Sequence, residues 1–99
     1  MRLGDRVLKV RSKNAGPFWV TIDVFCGDAA RFAEVAARLD TARVAALYGL
    51  APDALRRFDI ADLSVVKFSL PRPVVQGAPE DRDMHGAAWA CLLEEAALD

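Results

Sequence analysis

The chain has 99 residues, 54% of them hydrophobic and 27% charged, with 13 basic against 14 acidic side chains and a formal net charge of −1. That supplies one hydrophobic core and too little length for two, so a single domain over residues 1–99 is expected and the composition opposes disorder over most of the length. A nucleic-acid binder draws most of its affinity from a basic excess, which is missing here, so nucleic acid is not an expected partner.

Cys26 and Cys91 are the two cysteines, in neither a CxxC pair nor a metal-ligand spacing, and both read as small buried hydrophobes. The start, Met1-Arg2-Leu3-Gly4-Asp5-Arg6, lacks the apolar core of a signal peptide. No segment reaches the ~18 uncharged apolar residues of a membrane span. The expectation is a reducing, cytoplasmic location without membrane contact.

Taken in chain order, Leu3, Val7 and Val10 recur at four and three residues, which predicts a short helix over residues 3–11. Asn14-Ala15-Gly16-Pro17 breaks the chain, because Pro disfavours helix just before itself. Phe18 to Cys26 is the clearest strand, with Phe18, Val20, Ile22, Val24 and Cys26 on one face. Trp19, Thr21, Asp23 and Phe25 share the other face, which predicts a central strand covered on both sides with Asp23 in need of a partner.

Gly27-Asp28 marks a turn and an N-cap for a helix to about Leu39, whose buried stripe is Phe32, Val35, Ala36 and Leu39. Thr41 is expected to cap a second helix burying Val44, Leu47 and Tyr48 and ended by Gly49. A turn at Pro52-Asp53-Ala54-Leu55 follows, then two short strands, Arg57–Ile60 and Leu63–Leu70, pairing antiparallel. Pro71, Pro73, Gly77 and Pro79 punctuate a long loop, and from Met84 or His85 the alanines and leucines favour a helix. Whether residues 94–98 continue it or form an edge strand stays open. The order helix–strand–helix–helix–strand–strand–helix predicts an α+β, two-layer sandwich of ferredoxin-like (split βαβ) arrangement, its last strand missing or shortened.

Two segments carry polar chemistry. In Arg11-Ser12-Lys13-Asn14 two cations, a hydroxyl and an amide precede a Gly-Pro turn, a set suited to a carboxylate or phosphate. The spacing is not that of a phosphate-binding P-loop, and a plain polar loop entering the strand is the bland alternative. In Glu80-Asp81-Arg82-Asp83-Met84-His85-Gly86 carboxylates stand beside the one histidine, which suits acid–base work by Asp83 and His85. A metal would need further ligands from a distance, and simple capping of the last helix by the acids is the alternative. A self-contained Ser-His-Asp triad is a poor fit to one histidine. The aromatic side chains Trp19, Phe25, Tyr48 and Trp89 divide between core and interface roles.

Ser12-Lys13-Asn14-Ala15-Gly16-Pro17-Phe18, together with Pro71-Arg72-Pro73 and Pro79-Glu80-Asp81-Arg82-Asp83-Met84-His85-Gly86, resembles the domain-of-unknown-function 4387 family over nearly the whole chain. The resemblance implies a small subunit encoded beside an AtuA-like large chain, completing an enzyme that handles a carboxylic acid or its thioester. A lyase or hydratase is the expected chemistry, with Arg11, Ser12, Lys13 and Asn14 binding the substrate and Asp83 and His85 moving protons. The cofactor stays unknown, and self-association through apolar surface is a further expectation. A non-catalytic ligand-binding or structural module is the alternative. The family resemblance also implies a more strand-like ending than the Ala-rich tail here.

Overall fold

The computed structural model describes residues 2–71 and 89–98. Its frame is a four-stranded antiparallel sheet in the order β1-β2-β4-β3, formed by β1 (Lys9–Asn14), β2 (Trp19–Phe25), β3 (Arg56–Ile60) and β4 (Val65–Pro71). Three helices accompany it: α1 (Ala29–Arg38), α2 (Thr41–Leu47) and α3 (Trp89–Glu94). The architecture is a two-layer α+β sandwich. None of the helices is long and apolar enough to cross a membrane, among the described residues.

The topology grows out of two hairpins. β1 and β2 are joined through a tight turn in which Gly16 takes a φ of 79°, a conformation glycine adopts without the Cβ penalty, and Ala15 donates its N–H to the Trp19 carbonyl at 2.9 Å. β3 and β4 are joined by a 3-10 turn over Ala61–Leu63. The hairpins meet where β2 lies antiparallel to β4. Since β3 is also antiparallel to β4, β2 and β3 run parallel with β4 between them, which is the split βαβ relation. In a ferredoxin-like arrangement the other flank of that unit belongs to a C-terminal strand. Here the N-terminal β1 occupies it, so the strand that looked missing from the end of the sequence is supplied at its beginning.

That placement replaces the helix predicted over residues 3–11. Leu3–Asp5 forms a single 3-10 turn with Leu3 fully buried, and the chain then extends into β1. Within β1 the pattern has period two: Val10 and Ser12 are buried, while Lys9, Arg11 and Lys13 are exposed. The apparent helical spacing joined residues of two different elements, and pairing along the whole length of β2 decides for strand.

Packing divides the sheet into unlike faces. Val10 of β1, Val20, Ile22 and Val24 of β2, and Val66, Phe68 and Leu70 of β4 form the inner face. They join Val35 and Leu39 from the first helix, Val44 and Ala45 from the second, and Ala90 and Leu93 from the third in one core. Asp28 caps α1 as expected, accepting a hydrogen bond from the Arg31 N–H at 2.7 Å. Asp40 rather than Thr41 caps α2. The tail after α3 is neither helix nor full strand: Ala97 forms an isolated antiparallel bridge with Arg2, and Leu98 is buried. Cys26 is buried as expected, whereas Cys91 is exposed because it lies on the outward side of α3.

Candidate functional site

A strand apolar on both faces predicted a central β2 covered on both sides, and β2 is central. The described helices pack on its inner face; on the outer face Thr21 is buried, Asp23 and Phe25 are half-buried and Trp19 is exposed. Register builds the outer face row by row, because paired residues of antiparallel strands project to the same side. Lys13, Thr21, Ser69 and Arg56 form one row, and Arg11, Asp23, Lys67 and Phe58 the next. Lys9, Phe25, Val65 and Ile60 form a third. At the turn end Trp19 stands opposite Pro71.

These rows gather the cations Lys9, Arg11, Lys13, Arg56 and Lys67 against the single carboxylate Asp23, on a chain whose net charge is −1. Asp23 is the acid that the sequence left in need of a partner; it stands between Arg11 and Lys67 in register. Two cations lie on aromatic rings: the Lys9 ammonium is 4.9 Å from the Phe25 centroid and the Arg56 guanidinium 5.7 Å from that of Trp19. Of the large exposed hydrophobics, Trp19 and Phe58 stand on this face, while Leu8, Phe18 and Leu63 lie in the segments flanking the strands.

Thr21 lies in the middle of the face yet is only 7% exposed, and its hydroxyl has no hydrogen-bond partner among the described residues. A buried hydroxyl left unpaired costs about 1–3 kcal/mol, so its retention calls for an explanation.

The four substrate-binding candidates divide between the two faces. Arg11 and Lys13 project outward, while Ser12 and Asn14 belong to the inner side. Ser12 is buried and accepts a hydrogen bond from the Ala90 N–H at 2.9 Å, which ties β1 to the start of α3. Asp83 and His85 lie outside the described residues, as do Glu80, Asp81 and Arg82. Their approach can be followed as far as Pro71: the end of β4 is paired with Trp19 at the start of β2, so the chain leaves β4 at the same sheet end as the 15–18 turn. Among the described residues no three His, Cys, Asp or Glu side chains gather at a point that could hold a metal ion.

Arg57 is a residue that sequence reasoning missed. Its guanidinium donates to the carbonyls of Ala36 (2.8 Å) and Leu39, to the Thr41 hydroxyl (3.1 Å) and to the Asp59 carboxylate (2.8 Å). It also lies 5.7 Å over the Phe68 ring. One side chain thus satisfies the exposed carbonyls at the end of α1, where a cation is favoured, and fixes the α1–α2 corner to the sheet. A basic residue in a short strand gives no local signal of this role.

On the helical side a cleft of about 140 Å³ opens between α2 and the C-terminal segment, lined by Leu39, Arg43, Val44, Leu47, Leu93 and Ala97. Small-molecule sites usually span ~300–1,000 Å³, so this cleft is too small to enclose a substrate. Burial pushes the Cys26 thiol above its ordinary range, which makes it a poor nucleophile.

Compared with known proteins, the chain matches the family model described as a domain of unknown function (DUF4387), over residues 3–96. No curated protein and no solved structure matches it.

Proposed function

Because the chain belongs to the DUF4387 family, whose model matches nearly its whole length, we propose that it is the small subunit of a metabolic enzyme complex. Its large partner is an AtuA-like chain, and the substrate is a carboxylic acid or its thioester. The observation that carries this reading is the outer sheet face, where cations of three strands stand among the exposed aromatic side chains Trp19 and Phe58. Among the described residues no helix packs on this face, which leaves it available to a second protein.

In this reading the shared site lies at the sheet end where Trp19 meets Pro71. Arg11 and Lys13 approach it from β1, and the segment bearing Asp83 and His85 follows β4. Their chemistry suits a lyase or hydratase, with the cations holding the substrate anion and His85 or Asp83 moving a proton.

Co-expression with the AtuA-like chain tests it. A complex should form with the wild-type chain and be lost with Phe58→Asp, an exposed position whose change leaves the core intact. Lys13→Ala and His85→Ala should keep the complex and lose turnover on a panel of carboxylates and thioesters. A complex indifferent to Phe58→Asp would remove the outer face as the interface.

A further inference from the structure

We propose that the row Lys13–Thr21–Ser69–Arg56 is a carboxylate-binding site, with the Thr21 hydroxyl at its centre and the Trp19 ring as its apolar wall. The row follows from register, which aligns the four residues across β1, β2, β4 and β3 on the outer face. Adjacent strands stand roughly 4.8 Å apart, so Thr21 and Ser69 are direct neighbours and the two cations flank them.

Three features distinguish this row from a merely solvated surface. The Thr21 hydroxyl is buried and unpartnered, the kind of group an incoming acceptor would satisfy. Arg56 starts on β3 but places its guanidinium over Trp19 on β2, so it reaches across β4 toward the strand that bears Thr21. Among the described residues the charges of this row are also uncompensated. Asp23, the carboxylate on this face, stands in the neighbouring row between Arg11 and Lys67, and among the described residues Lys13 and Arg56 form no ion pair.

Such a set suits a carboxylate, the class of anion that the subunit reading supplies. Its two oxygens can meet the guanidinium fork on one side and the ammonium and hydroxyl on the other. The Trp19 ring, still 36% exposed, offers an apolar surface to whatever carbon skeleton bears the anion. Both Lys13 and Arg56 are exposed at the surface, so their side chains can part to admit it.

The inference deepens the subunit reading and rests on it for the class of substrate, but the row is complete within one chain, so its test needs no partner. Loss of the complex with an intact anion site would count against docking alone. The probes are succinate and inorganic phosphate, each titrated at constant ionic strength into the ¹⁵N-labelled full chain. Succinate should give saturable amide shifts centred on residues 13, 21, 56 and 69 and on the Trp19 indole. Thr21→Val, which removes the hydroxyl and keeps the shape, should weaken binding about tenfold, the usual effect of losing one hydrogen bond to a charged group. Arg56→Gln and Lys13→Gln change exposed side chains and should each weaken it as well. Shifts that fail to saturate, that spread evenly over the surface, or that persist unchanged in Thr21→Val and Arg56→Gln would overturn the site. Tighter binding of phosphate than of succinate would overturn its assignment to carboxylates.

Discussion

Ser12, in the edge strand β1, accepts a hydrogen bond at 2.9 Å from the backbone N–H of Ala90, in the first turn of α3 and 78 positions away in sequence. The first N–H groups of a helix have no partner within it, and this one is satisfied by a side chain of the sheet. Ser12→Ala should therefore destabilise the protein by about 1–2 kcal/mol, the range for losing a capping hydroxyl. Urea unfolding should show a lower midpoint at unchanged slope, and the Ala90 amide should exchange faster with solvent. An unaltered midpoint would mean that the bond contributes nothing net.

Arg57 gives a larger expected effect. Its removal leaves the carbonyls of Ala36 and Leu39 without their donor at a partly buried corner. Arg57→Ala should cost about 3 kcal/mol, in the range for breaking a partly buried charged network. Arg57→Lys should recover only a minor part, because an ammonium cannot reproduce the planar fork. Thermal unfolding of the two variants beside the wild type measures both.

Tyr48 and Trp89 are stacked, with ring centroids 5.3 Å apart, and the Tyr48 hydroxyl donates to the Trp89 carbonyl at 2.7 Å. Burial raises the phenol well above its ordinary value of 10.0. A group whose folded value is raised adds stability that is present below its unfolded value and lost as pH rises above it. Stability should therefore fall as pH climbs past about 10, and Tyr48→Phe should flatten that fall while costing about 1 kcal/mol at neutral pH. Denaturation midpoints from pH 7 to 11 decide the matter.

Glu34 responds in the opposite direction. The Arg6 guanidinium, whose Nε donates to it at 3.0 Å, holds its carboxyl below the ordinary 4.5, with Arg31 adding a second pairing at 3.3 Å. The lowered value means stability that is present above pH 4.5 and lost as pH falls through the folded value. Glu34→Gln should show a weaker dependence of melting temperature on pH below that point. Parallel melting curves for wild type and variant between pH 3 and 6 would refute the pairing.

Sequence patterning located the elements whose signals are local. Alternation over residues 18–26, the Asp28 cap and the Phe32–Leu39 stripe each report on nearby backbone, and β2 and α1 lie where those patterns put them. The first element was misread because Leu3 and Val10, which suggested one helical face, belong to a 3-10 turn and to a strand whose partner is β2. The side of the sheet on which the described helices pack was hidden for a related reason. Trp19 and Phe25 signal burial wherever they occur, and only the tertiary arrangement shows which face the helices take. Ser12 and Lys13 are adjacent in sequence, so no motif could separate them, yet the pleat sends one inward and the other out.

The division of the sheet into two local hairpins bears on how the chain finds its fold. Each hairpin pairs strands that are near in sequence and can form on a microsecond scale. The long-range step is the joining of β2 to β4, which must close the chain from Phe25 to Val65 before contact rewards it. The side chains at that seam, Ile22 against Phe68 and Val24 against Val66, are fully buried, so the reward is concentrated where the entropy is spent. Weakening the seam should slow refolding, whereas weakening β1, which joins an existing strand from the outside, should mainly hasten unfolding. The rate at which this protein folds is then set at its centre, and the time it stays folded at its edge.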